Sequence, residues 1–332
     1  MDIIVDKRTE LMSIVLSLCQ GNEYIKEHFT FNAKDHYREA VIQHFSKFEN
    51  HRCVNLCKEV AANCLGFNFD NPIRLAFALN ENLQFCGKIE KYLIDELENE
   101  SLIKEFMLSL QEFAFDSEFN NFYNKNKNYY QTKTNQIASL FTSGNFIYVL
   151  EKFLKRKVCE KFQVNVIPML INANHGFEIS GVNIANIGLP SENIKTIEPF
   201  NKGYMHIIIH EICHCFVNCN TENYKLNIDE KYKEKLASLG YKNPIAHLND
   251  TIVRAMTIFL REKIDNIDVK KFLDRERSFG FIYAKDVYNK LHQYQMQTLC
   301  WEQYFPEILS CINCTNNIEK TFGNNRLIYM DR

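Results

Sequence analysis

The chain has 332 residues, 46% of them hydrophobic, and a formal net charge of −2. That supplies a substantial apolar core and withholds the basic excess of a nucleic-acid footprint, so no nucleic-acid partner is expected. No run approaches the roughly twenty apolar residues that span a bilayer, so no membrane span is expected either. Only 11 Gly and 6 Pro stand against 26 Phe and 16 Tyr, which points to a predominantly helical α+β fold with aromatic packing. The length suggests about two domains, read here as a helical N-terminal region over residues 1–155 and a metal-binding region over residues 156–332.

Within the first region, apolar residues recur at spacings of three and four over residues 9–19, 33–48, 53–62, 74–80, 87–98 and 101–115. Breaks fall at Gly21, His51, Gly66 and Pro72. Residues 11–19 are apolar but follow acidic residues instead of a basic segment, so they do not read as a signal peptide. Residues 120–136 are rich in Asn, Lys and Tyr and read as a loop, with Phe119, Phe122 and Tyr123 as the residues able to keep it packed.

The second region opens with alternating strand patterns at residues 162–171, 177–180 and 182–187, enough for a small sheet. A helix follows, with Met205, Ile208, Ile209, Ile212 and Phe216 forming an apolar stripe. It carries His210-Glu211-Ile212-Cys213-His214, an HExxH run. Residues four apart share a helix face, so His210 and His214 can bind one metal ion while Glu211 reaches a water on it. A catalytic zinc wants a third protein ligand and one open position. Asp250, in a predicted helix over residues 248–262, is the first choice, with His247 and Glu222 as alternatives. Further helices are expected at 285–298 and 308–311. Cys311 and Cys314 have the spacing of a metal knuckle but lack a second pair.

The Asn249-Asp250 pair resembles the Asn-Glu of the gluzincin metallopeptidases, whose glutamate is the third ligand. The wider chain resembles an uncharacterised bacterial family, domain of unknown function 4932. The resemblance rests on Val5-Asp6-Lys7-Arg8-Thr9-Glu10-Leu11, Phe45 with His51, Gly66-Phe67-Asn68-Phe69-Asp70 and His214-Cys215-Phe216-Val217-Asn218. It also rests on Asn249-Asp250 with Val253-Arg254-Ala255, Phe113-Ala114-Phe115-Asp116 and Gly280-Phe281-Ile282-Tyr283. It departs at Asp250, where the family pattern carries Glu. What it implies is a zincin-like core, with a small sheet packed on the HExxH helix and an edge strand able to bind extended peptide.

The expected chemistry is that of a zinc metallopeptidase acting on a peptide or protein substrate. Zinc on His210, His214 and Asp250 activates a water, and Glu211 takes its proton and passes it to the leaving amine. Tyr283, His247 and Arg254 are candidate oxyanion donors; Arg254, one turn after Asp250, can also orient it. Bland readings are a packing Tyr283, a polar helix start at His247, a surface ion pair for Arg254 and a solvated Glu211. Asp6, Arg8, Glu10 and His51 read as buried polar anchors. A rival class is a non-catalytic protein with structural zinc, closed by Cys215, Cys219, Glu222 or His247. Another is a metal hydrolase of non-peptide amides or esters. Twelve cysteines, several in apolar helical patterns, favour reduced thiols and a cytoplasmic location, with export after loss of a leader as the alternative. Cys213, Cys215 and Cys219 read as packing residues.

Overall fold

The computed structural model describes residues 1–31, 36–64, 66–68, 70–141, 146–171, 173–189, 197–221, 224–228, 230, 234, 244–312 and 315–320. Glu222 and Cys314 lie outside them, and with them two of the expected alternatives. The chain divides into two compact units. One comprises Met1–Ala138, Gln163–His175 and Ile184–Asn201, the other Ser139–Phe162, Gly176–Asn183 and Lys202–Arg332. Among the described residues no helix is long and apolar enough to cross a membrane.

Several helices of the first unit begin where a side chain satisfies a free amide. Strand β1 (Asp2–Ile4) leads into α1 (Lys7–Leu18), whose N-cap Asp6 accepts from the Arg8 amide and pairs with its guanidinium at 2.5 Å. After α2 (Glu23–His28) and α3 (His36–Phe45), His51 caps α4 (Arg52–Asn63) by accepting from the Cys53 amide. Its other ring nitrogen meets Asp116 at 3.1 Å, so two of the family-like motifs touch each other. Short α5 (Asn71–Leu75) and α6 (Lys91–Leu97) precede α7 (Glu100–Asp116), which packs on α4 and buries Phe106, Leu110 and Phe113. At Gly66 a side chain would collide with the Glu96 backbone oxygen, so only glycine fits.

Residues 120–136 are helical where the composition predicts a loop: α8 (Phe119–Lys125) and α9 (Lys127–Ser139) cover them. Burial decides this, since Phe119, Phe122 and Tyr130 are enclosed and the Tyr123 hydroxyl donates to the Val5 carbonyl at 2.5 Å. Packing of an apolar face overrides weak intrinsic propensity.

A carboxyl lies at the centre of this unit. Glu10 is fully enclosed, accepts from the Tyr37 hydroxyl at 2.5 Å, and Tyr37 in turn meets the Tyr130 hydroxyl at 2.7 Å. Burial pushes its pKa up to about 7, against the lowering effect of Tyr37 and Ser13. The folded state therefore holds this proton more tightly than the unfolded chain, and stability falls as pH rises from about 4.5 to about 7. The loss is about 3 kcal/mol. Glu10→Gln keeps the hydrogen bonds and removes the titration, so urea unfolding from pH 5 to pH 8 should give a flatter stability profile and a more stable variant at pH 8. Equal slopes for parent and variant would refute this.

Four strands form a sheet in the order β1-β2-β4-β3, with β2 at Lys161–Ile167, β3 at His175–Ile179 and β4 at Val182–Gly188. Strand β1 runs parallel to β2, Asp2 opposite Gln163. Nothing local in three residues announces that pairing.

The second unit holds α10 (Phe146–Leu154), most of α11 (Ile197–Thr221), and α12 (Pro244–Asp265), α13 (Val269–Ser278), α14 (Ala284–Gln295) and α15 (Trp301–Ser310). Strands β5 (Tyr224–Ile228) and β6 (Thr315–Lys320) pair antiparallel. Phe153 gathers Phe259, Tyr294 and Trp301 around it, with ring centroids 5.3–5.5 Å away. The Trp301 indole donates to the Phe216 carbonyl at 2.9 Å, which anchors α11 two residues beyond His214.

Candidate metal centre

The metal-ligand residues come together because α11 buries one stripe and presents another. Met205, Ile208, Ile209, Ile212 and Phe216 are buried, as the helical spacing predicts, and this rotates His210 and His214 onto a common face. Their Nε2 atoms lie 3.2 Å apart. Asp250 of α12 brings Oδ1 to 3.1 Å from His210 Nε2 and 3.9 Å from His214 Nε2. A tetrahedral site with bonds of about 2.0–2.1 Å has donor–donor edges of about 3.3 Å, so the three separations fit one ion. The residues are 8%, 2% and 1% exposed respectively.

Each donor is aimed by a further contact. His214 Nδ1 faces Asn218 Oδ1 at 3.3 Å, which places a proton on Nδ1 and leaves the Nε2 lone pair for the metal. Asp250 divides its oxygens: Oδ1 turns to the histidines, and Oδ2 accepts from Arg254 Nε at 3.0 Å. Arg254 continues to Glu276 of α13 at 2.6 Å, and its guanidinium lies 4.0 Å from the Phe281 ring. If both imidazoles turn their Nε2 lone pairs inward, the two nitrogens and the carboxylate oxygen repel one another, and a cation between them relieves this.

Glu211 follows His210 and is 8% exposed. Strand β3 passes against it at Gly176, where a Cβ would sit 3.2 Å from both the Glu211 backbone oxygen and its carboxylate Oε2. Glycine there leaves room for the carboxylate. Of the other candidates, His247 is buried and stacks flat on Phe281 at 4.7 Å, while Arg254 has its guanidinium committed to two carboxylates. Tyr283 sits half-buried at the N-cap of α14. Cys213 is buried, Cys215 half-buried, and Cys219 exposed with its thiol on the Cys215 carbonyl. Among the described residues, His210, His214 and Asp250 are the only such group of three, and no fourth His, Cys, Asp or Glu joins them.

Spacing did not reveal Glu276, because its link to Asp250 runs through Arg254 and a separate helix. Gly176 had a weak signal, a lone glycine in a predicted strand.

Fold and site thus define a helical α+β protein with a buried group suited to holding a metal ion. The family model "Domain of unknown function (DUF4932)" matches residues 1–311, and the chain belongs to that family. No curated protein and no solved structure matches it.

Proposed function

We propose that this chain is a zinc-dependent hydrolase with a zincin-like core, and specifically a metallopeptidase. The observation that carries the reading is a buried His210-His214-Asp250 group of tetrahedral dimensions next to a carboxylate, Glu211, with three donors in place of four among the described residues. Three protein ligands leave a coordination position for water or substrate, as catalytic zinc sites do, and an N₂O donor set of imidazoles and carboxylate suits zinc. A zinc ion held there supplies a Lewis acid that acidifies water and polarises a carbonyl. Glu211 accepts the proton of the attacking water and delivers it to the leaving amine. Arg254 and Glu276 keep Asp250 turned toward the histidines. Strand β3 is at the edge of its sheet and lies against Glu211 through Gly176, so an extended peptide laid along that edge would gain main-chain hydrogen bonds beside the base.

The test is cleavage of a broad peptide library by zinc-loaded protein, its removal by a chelator and its return on adding zinc. Cleavage that survives complete chelation, or none by the loaded protein, would overturn the assignment.

A further inference from the structure

One titratable residue on the metal-bearing helix has no part in this scheme. His206 lies one turn before His210, so His206, His210 and His214 form a row of three on one face of α11. Its ring packs against Phe272 of α13, with centroids 5.3 Å apart, which holds the imidazole in place. Nδ1 is buried without a hydrogen-bond partner among the described residues. The residue is half-buried and Nδ1 is its enclosed nitrogen, which leaves Nε2 as the one at the surface; among the described residues no hydrogen bond to it is seen. A ring that only filled space would do so better as Leu or Phe, since burying an unsatisfied nitrogen is costly.

We propose that His206 is a substrate-binding residue, its Nε2–H donating to a backbone carbonyl of a peptide lying along the histidine face of α11. The proposal rests on the peptidase reading for the identity of the ligand. The tautomer follows from burial: a buried N–H without an acceptor is rarer than an unused lone pair, so the proton belongs on Nε2 at the surface. Burial also holds the imidazole well below the usual histidine range, helped by His210, Arg261, Arg275 and Arg254. A neutral donor can sit one turn from a dication without opposing it. The alternatives are otherwise engaged, Arg254 with Asp250 and Glu276, and His247 beneath Phe281.

The experiment compares zinc-loaded parent with His206→Phe, which keeps the ring on Phe272 and removes both nitrogens. His206→Gln and His206→Asn serve as a second pair, placing an amide nitrogen near the Nε2 or the Nδ1 position. An N-acetyl-dipeptide hydroxamate, titrated by calorimetry, is the probe, and zinc content is measured alongside. We expect unchanged zinc, about tenfold weaker hydroxamate binding in the Phe and Asn variants, and near-parent binding in Gln, one hydrogen bond being worth about that factor. On a cleaved peptide the same loss should appear in KM, with kcat held within about twofold, the sign of uniform binding. Parent affinity in both Phe and Asn, or equal loss in Gln and Asn, would overturn the role of His206. A parent that binds the hydroxamate and cleaves no peptide would reject the peptidase reading instead, and the titration would still decide His206.

Discussion

Replacing His210 and His214 together by alanine should abolish zinc binding, while the parent retains about one ion per chain. The expectation is large because the two imidazoles supply two of the three donors, and the carboxylate left behind is already shared with Arg254. Asp250→Ala should weaken zinc strongly as well, since it removes the third donor and leaves Arg254 and the histidine pair without the charge that links them. Asp250→Glu, the residue of the family pattern, should retain the metal. His247→Ala is the control: its ring faces Phe281, so the metal should stay while the stacked contact is lost. Elemental analysis after dialysis, with zinc competition titrations, measures all four. Undiminished zinc in the double variant would move the site elsewhere. Undiminished affinity in Asp250→Ala with loss in His247→Ala would make the triad all histidine.

Glu211→Gln should keep zinc and fold and lose hydrolysis by roughly 10²–10⁴-fold, the usual range for removing a positioned proton acceptor. The amide has the shape of the carboxylate, and the space beside Gly176 that accommodates one accommodates the other. What disappears is the lone pair able to take a proton from water. Turnover on the library peptides, with zinc content measured on the same samples, gives the answer. A variant that turned over within a few-fold of the parent would show that some other group is the base.

The family-like motifs outside the metal helix have structural work. Asp6 and His51 cap helices, His51 pairs with Asp116, Gly66 admits a backbone oxygen, and Glu10 is a buried acceptor for Tyr37. Asp6 and Glu10 are buried, as the anchor reading of Asp6, Arg8, Glu10 and His51 has them, while Arg8 and His51 are half-buried. Their chemistry is that of holding the first unit together.

Local rules determined what lay within one or two helical turns. The i,i+4 placement of His210 and His214, the buried stripe beneath them, and the turn between Asp250 and Arg254 follow from 3.6 residues per turn, which residues in sequence carry with them. Long-range packing decided the rest. Asp250 meets the histidines across 36 residues of chain only because α11 and α12 bring them together. Arg254 reaches Glu276 only because α13 returns beside α12. β1 finds β2 some 160 residues away, and residues 120–136 are helical because Phe119, Phe122 and Tyr130 are covered. Each of these depends on a partner that local periodicity cannot name, since burial and loop closure act on the whole chain while propensity acts on a few residues.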